Sequence, residues 1–135
     1  MAKRFTKTEK WSDPWFRKLS PSEKLVWMFL CDNCNNAGII EVDVGLVSFQ
    51  TGIDESEVEG ALKGLRRGLD GASKEHLYRL RTFLKHQGNE RLNKSNKAHL
   101  QILRFIDEFK EDFPSFYAQY EAEITSLSQG ASKGL

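Results

Sequence analysis

The stretch from Asp43 to Arg67, DVGLVSFQTGIDESEVEGALKGLRR, constrains the fold more than any other part of the chain, because two helix starts and one helix stop fall within 25 residues. Asp43 is placed to cap a short helix over residues 44–50, which Thr51-Gly52 ends in the manner of a glycine C-cap. Asp54 caps the next helix with Glu57 three residues on, and Ile53 and Val58 are spaced to form a hydrophobic staple. The apolar stripe of this helix is Val58, Ala61, Leu62 and Leu65. By the 3.6-residue period, Ser56, Gly60, Lys63 and Arg67 line the opposite, solvent-facing side, with Arg66 flanking.

Upstream, Ser20-Pro21-Ser22-Glu23 carries a cap, a proline at the first helical position and a capping box. Leu25, Val26, Met28, Phe29 and Leu30 then give a wide apolar face, which predicts a central core helix prolonged by Cys31 and Cys34. Asn35, Asn36 and Gly38 break it, and residues 39–44 alternate as a short strand. Downstream, residues 69–75 contain Asp70-Gly71 and read as a turn. Residues 76–83 read as a strand with Tyr78, Leu80 and Thr82 on one side and Leu77, Arg79, Arg81 and Phe83 on the other; a helix with Leu77, Leu80 and Leu84 on one face competes. Residues 83–87 fit one helical turn. After the polar loop GNERLNKSN, Asn93 or Ser95 starts an amphipathic helix that buries Ile102, Leu103, Ile106 and Phe109 and stops near Phe113-Pro114. A last helix carries Phe116, Tyr120, Ile124 and Leu127 at four-residue steps, a stripe that must be covered by folding back or by a second copy.

These elements predict a mainly α fold with a small β component: a winged helix-turn-helix core, in the order helix, strand, helix, helix, hairpin, plus C-terminal helices. The expected divisions are a basic and aromatic leader over 1–19, a winged-helix domain over 20–88, a helical extension over 89–128 and a disordered tail over 129–135. With 135 residues, 39% of them hydrophobic, the chain suits one core. It has no apolar run of the roughly 18 residues a membrane span needs and opens without a signal peptide's apolar core, so a cytoplasmic protein with no membrane partner is expected. Cys31 and Cys34 have C-x-x-C spacing, but no second cysteine pair exists, and His76, His86 and His99 supply no recognised ligand spacing. Both cysteines read as buried hydrophobes, with no metal or other cofactor. A Ser/His/Asp set, a Walker loop and a dinucleotide fingerprint are all missing, which predicts that the chain is not an enzyme.

The formal charge of +1 conceals opposed blocks. Residues 1–18 carry six basic and two acidic groups, 19–62 one against eight, 63–104 eleven against three, and 105–135 two against six. A protein that binds a polyanion needs a local basic face rather than a basic total. Lys63, Arg66 and Arg67 are therefore candidates for DNA contact, with Ser56 and Gly60 on the same helix face. Arg79 and Arg81 point the same way along their strand and are candidates for phosphate contact or ordinary surface charge. Lys3 and Arg4, with Lys7 and Lys10, would form either a groove-tracking arm or a plain solvated tail. Trp11, Trp15, Phe16 and Trp27 read as a packed aromatic cluster rather than a stacking platform. Gly60 and Gly64 each lower helix propensity by about 1 kcal/mol relative to alanine, which close approach to DNA or to another helix would offset.

The segments MAKRFTKTEKW, DPWFRKLSPSEKLVWMFLCDNCNNAGIIEVDVGLVSFQTG and, after FLKHQ, NKSNKAH resemble the N-terminal region of phage replication proteins, the replisome-organiser group related to DnaD-type primosome domains. The resemblance spans roughly residues 1–106. It implies a winged-helix domain that binds origin DNA, with residues 56–67 as recognition helix and 69–83 as wing, and a more C-terminal part that recruits a replicative helicase or its loader. The strand HLYRLRTF lacks that group's aromatic and proline pattern. Other expectations compatible with the fold are a protein-interaction or oligomerisation module of a primosome and a winged-helix transcriptional regulator.

Overall fold

In a computed structural model of the chain, residues 3–133 are described, with side chains as far as residue 127; they form a mainly helical fold with one small antiparallel sheet. The capping box forms as its sequence predicts. Ser20 Oγ accepts the Glu23 amide at 3.1 Å and the Glu23 carboxylate accepts the Ser20 amide at 2.7 Å, which starts α2 (Pro21–Asn33). Its buried face is narrower than expected: Val26 and Leu30 are fully buried, but Leu25 is 36% exposed. Cys34 is the C-cap, and Gly38 follows at φ +84. A Cβ on Gly38 would lie 2.8 Å from the Phe83 Cβ, so only glycine lets β1 (Ile39–Glu41) begin there.

Asp43 then caps α3 (Val44–Thr51) through the Leu46 amide, and Gly52, at φ 81, ends it in the left-handed conformation. The next helix, α4 (Glu55–Gly64), has Asp54 at its N-cap, yet the Asp54 side chain makes no capping bond. Glu57, expected to complete that cap, instead accepts the Ser22 hydroxyl of α2 at 2.9 Å. The predicted stripe holds: Val58, Ala61, Leu62 and Leu65 are all buried.

The predicted turn at Asp70-Gly71 is instead a strand, β2 (Leu69–Gly71), and residues 72–76 make the turn into β3 (Leu77–Leu80). Asp-Gly is a common hairpin signal, but here the stronger constraint is burial of Leu69 directly opposite Leu80. His76 closes the turn at φ 63. The sheet order is β1-β3-β2, so the first strand pairs with the last. Alternation along β3 does not separate a wet side from a dry one, because Leu77 and Leu80 fall on opposite faces and both are buried. Both faces of the sheet are therefore covered.

The leader is anchored rather than loose. After a 3-10 turn (Thr8–Ser12), Asp13 caps α1 (Pro14–Arg17), and Phe16 and Leu19 enter the core. Upstream, Arg4 Nη2 donates to the Cys34 carbonyl at 2.7 Å. The Phe5 amide and carbonyl exchange bonds with the Gln87 side chain just after α5 (Phe83–His86). Asn96, rather than Asn93 or Ser95, caps α6 (Lys97–Glu108); Asn93 Oδ1 is engaged by the Ser95 amide and hydroxyl in a turn of its own. Ile102, Leu103 and Ile106 are buried as predicted, while Phe109 is half-buried beyond the helix end. Finally α7 (Pro114–Lys133) folds back, burying Phe116 and Ile124 and packing Tyr120 and Leu127 against the core. The backbone helix thus extends into the segment expected to be a loose tail, whose last two residues lie outside the described ones.

Candidate nucleic-acid interface

On α4 the helical period that buries Val58, Ala61 and Leu62 exposes Ser56, Gly60 and Lys63, with Arg66 and Arg67 exposed in the turn beyond. That turn is rigid. The Gly68 amide bonds the Leu65 carbonyl at 2.9 Å, the Leu69 amide reaches the Arg66 carbonyl at 3.3 Å, and the Arg81 amide ties the Gly68 carbonyl to the end of β3 at 3.0 Å. Among the described residues, the side chains of Lys63, Arg66 and Arg67 make no ion pair and no hydrogen bond. Three unengaged cations at a helix C-terminus also sit well with its negative dipole end. The first half of α4 has the opposite sign: Glu55 and Glu57 are exposed, and Glu59 is paired with His76 at 3.2 Å.

Of the two glycines of α4, one has a packing explanation. Gly64 meets the Glu23 carboxylate, which a Cβ would overlap, so it permits close packing of α4 on the start of α2. Gly60 faces open space.

Arg79 and Arg81 do point the same way, but both are already engaged. Arg79 Nη1 and Arg81 Nε bind the two oxygens of Asp70 at 2.7 and 2.6 Å. Arg79, only 13% exposed, also lies 3.7 Å above the Phe116 ring and clamps α7 to the sheet. Arg81 remains half-exposed, so its outer edge can still meet an anion. The leader cations separate too: Lys3 is exposed, whereas Arg4 is bonded to Cys34 and stacked 5.5 Å over Phe83.

Sequence reasoning does not reveal the cleft between the leader and the body, with a volume of about 600 Å³. Its walls include Lys7 and Lys10 from the leader, Arg67 at the exit of α4, and Trp15 and Trp27. The two indoles pack edge to face at 5.0 Å, and Gly68 seats against both, since a Cβ there would come within 3.0 Å of Trp27 and 3.1 Å of Trp15. The aromatic cluster is thus packed, as predicted, yet Trp15 and Trp27 stay half-buried and face this opening, while Trp11 is 57% exposed. His86, on the same cleft, titrates below its ordinary value because burial and the nearby Lys7 and Lys85 disfavour its cation. The only available sequence signal was the density of basic and aromatic residues in the leader.

Burial raises the Cys31 thiol to about 12 and the Cys34 thiol to about 11, so both are protonated near neutral pH. Among the described residues, no three His, Cys, Asp or Glu side chains converge as metal ligands, and no helix is long and apolar enough to cross a membrane. No protein-family model, curated protein or solved structure matches the chain.

Proposed function

We propose that the chain is a DNA-binding domain of winged-helix type that meets duplex DNA through the C-terminal half of α4 and the turn that follows it. The observation that carries this reading is the set of three exposed, unengaged cations, Lys63 on the outer side of a helix whose inner side is core and Arg66 and Arg67 in the turn that leaves it. Element order supports it. A helix, a strand, two short helices joined by a tight turn, and a hairpin whose last strand pairs with the first follow the order used by winged-helix proteins, in which the helix corresponding to α4 meets the major groove. The carboxylates of Asp54, Glu55 and Glu57 would repel phosphates, which favours a contact at the basic end over one at the helix start. Arg81 and Lys74 beside the hairpin add cations for the adjacent backbone, although Lys74 pairs with Glu41 at 3.0 Å in the free protein.

The resemblance of the N-terminal segments to replisome organisers extends this reading to replication initiation, with a replicative helicase or its loader as the protein partner. The test is duplex affinity of a Lys63→Glu, Arg66→Glu double variant: a large loss with an unchanged melting temperature supports the interface, and unchanged affinity in the folded variant removes it.

One observation favours an additional protein contact. On α3, Phe49 is 87% exposed and Leu46 is 49% exposed, an apolar pair one helical turn apart. The stripe on α7 is covered by the chain itself, which leaves α3 as the better surface for association. A Phe49→Ser variant should lose self-association or partner binding and keep its duplex affinity.

A further inference from the structure

The cleft beneath the leader differs from the α4 surface in what it can hold. An exposed helix face suits the outside of a duplex, whereas this opening is enclosed on one side by residues 4–13 and on the other by α2, α5 and the turn after α4. Its volume, about 600 Å³, is in the range of roughly 300–1,000 Å³ typical of small-ligand sites. Two half-buried indoles supply aromatic surface. Arg67 lies one residue from Gly68, the position against which both indoles pack, so a guanidinium flanks the aromatic wall. Lys7 supplies a second exposed cation on the same opening.

We propose that this cleft receives an unstacked nucleotide, its base against Trp15 and Trp27 and its phosphate between Arg67 and Lys7. Base-on-aromatic stacking with flanking cations is how proteins hold single strands without reading sequence. A paired duplex presents no free base face, so the ligand is an unpaired strand or a free nucleotide. The acidic groups on the cleft do not stand against this. Asp13 is engaged as the cap of the Trp15 amide, and Asp32 is set against Arg4 and Lys10, which with it act on the Cys31 side of the cleft. Glu9 is exposed and free to turn to solvent. The inference extends the DNA reading and relies on it only for the strand as the source of the nucleotide.

A Trp11→Phe background leaves Trp15 and Trp27 as the emitting indoles, since the chain has three tryptophans. A short oligothymidylate, thymidine monophosphate and inorganic polyphosphate are each titrated while tryptophan emission is followed. Saturable quenching by the oligothymidylate, absent with polyphosphate, is expected, and Lys7→Glu should weaken it at least about tenfold. Equal affinity for the mononucleotide identifies a free nucleotide as the source; preference for the oligomer identifies a strand. In the Lys63→Glu, Arg66→Glu variant the quenching should persist even as duplex binding disappears, so that the two sites can fail separately. No saturable quenching by either nucleotide probe, or equal quenching by polyphosphate, overturns the proposal. A Trp27→Phe variant that melts like its parent and binds the oligothymidylate with undiminished affinity overturns it as well.

Discussion

Replacing Arg79 with alanine should destabilise the protein by about 3 kcal/mol, although the residue lies in a basic block that reads as surface. The guanidinium donates to Asp70 at 2.7 Å, and a charge-assisted bond of this kind contributes about 1.5–3 kcal/mol. Its position 3.7 Å above Phe116, largely shielded from water, adds about 1–2 kcal/mol. Two details restrain the sum. Arg79 Nε is buried without a partner, which offsets part of the gain, and Asp70 retains Arg81 at 2.6 Å, so the carboxylate is not orphaned. For a domain of this size, 3 kcal/mol corresponds to a fall of about 10 °C in the melting temperature. Thermal and urea unfolding followed by circular dichroism measure it directly. Arg79→Lys keeps the charge but loses the fork and the planar stacking, so it should recover only part of the loss. A deficit below about 1 kcal/mol in Arg79→Ala would refute the claim that this side chain fastens α7 to the sheet.

The glycines of α4 should separate in the same assay. Gly60→Ala faces open space and should stabilise by about 1 kcal/mol, whereas Gly64→Ala displaces the Glu23 carboxylate from its capping position and should give no net gain. Adding Glu23→Ala to Gly64→Ala should then show clear non-additivity. The thiols give a chemical test: with Cys31 raised to about 12 and Cys34 to about 11, alkylation of the native protein at pH 8 should run about two to three orders of magnitude slower than that of an unperturbed thiol. By linkage, the stability these thiols contribute is complete below the ordinary cysteine value of 9.0 and is lost as pH rises toward 11 and 12, because only the unfolded chain ionises in that window. Labelling of the native protein as fast as of the denatured chain would contradict the burial of Cys34 and the partial burial of Cys31.

Local signals that satisfy themselves within a few residues were legible in the sequence. The Ser20 box, the Asp43 cap, the Gly52 stop and the α4 stripe each depend on neighbours along the chain, and each forms. Signals that depend on distant partners were not. Asp70-Gly71 carries a turn motif, but Leu80 across the sheet draws Leu69 into a strand, and the same pairing brings Asp70 beside Arg79 and converts a candidate phosphate contact into a clamp. The leader reads as an unfolded arm because its own apolar content is low; its anchors are Cys34 and Gln87, 30 and 82 residues away. The cleft follows from that anchoring, so no local pattern could announce it. Asp54 fits a capping box by spacing, yet Glu57 finds Ser22 of α2 instead.

The most direct test of the central claim is the salt dependence of duplex binding by the unmodified chain, compared with the Lys63→Glu, Arg66→Glu variant. If Lys63, Arg66 and Arg67 each neutralise one phosphate, the plot of log affinity against log salt should have a slope of about −2.7, and the variant should lose most of it. A wild-type slope near zero, or an equal slope in a variant that remains folded, would contradict a duplex interface at the end of α4.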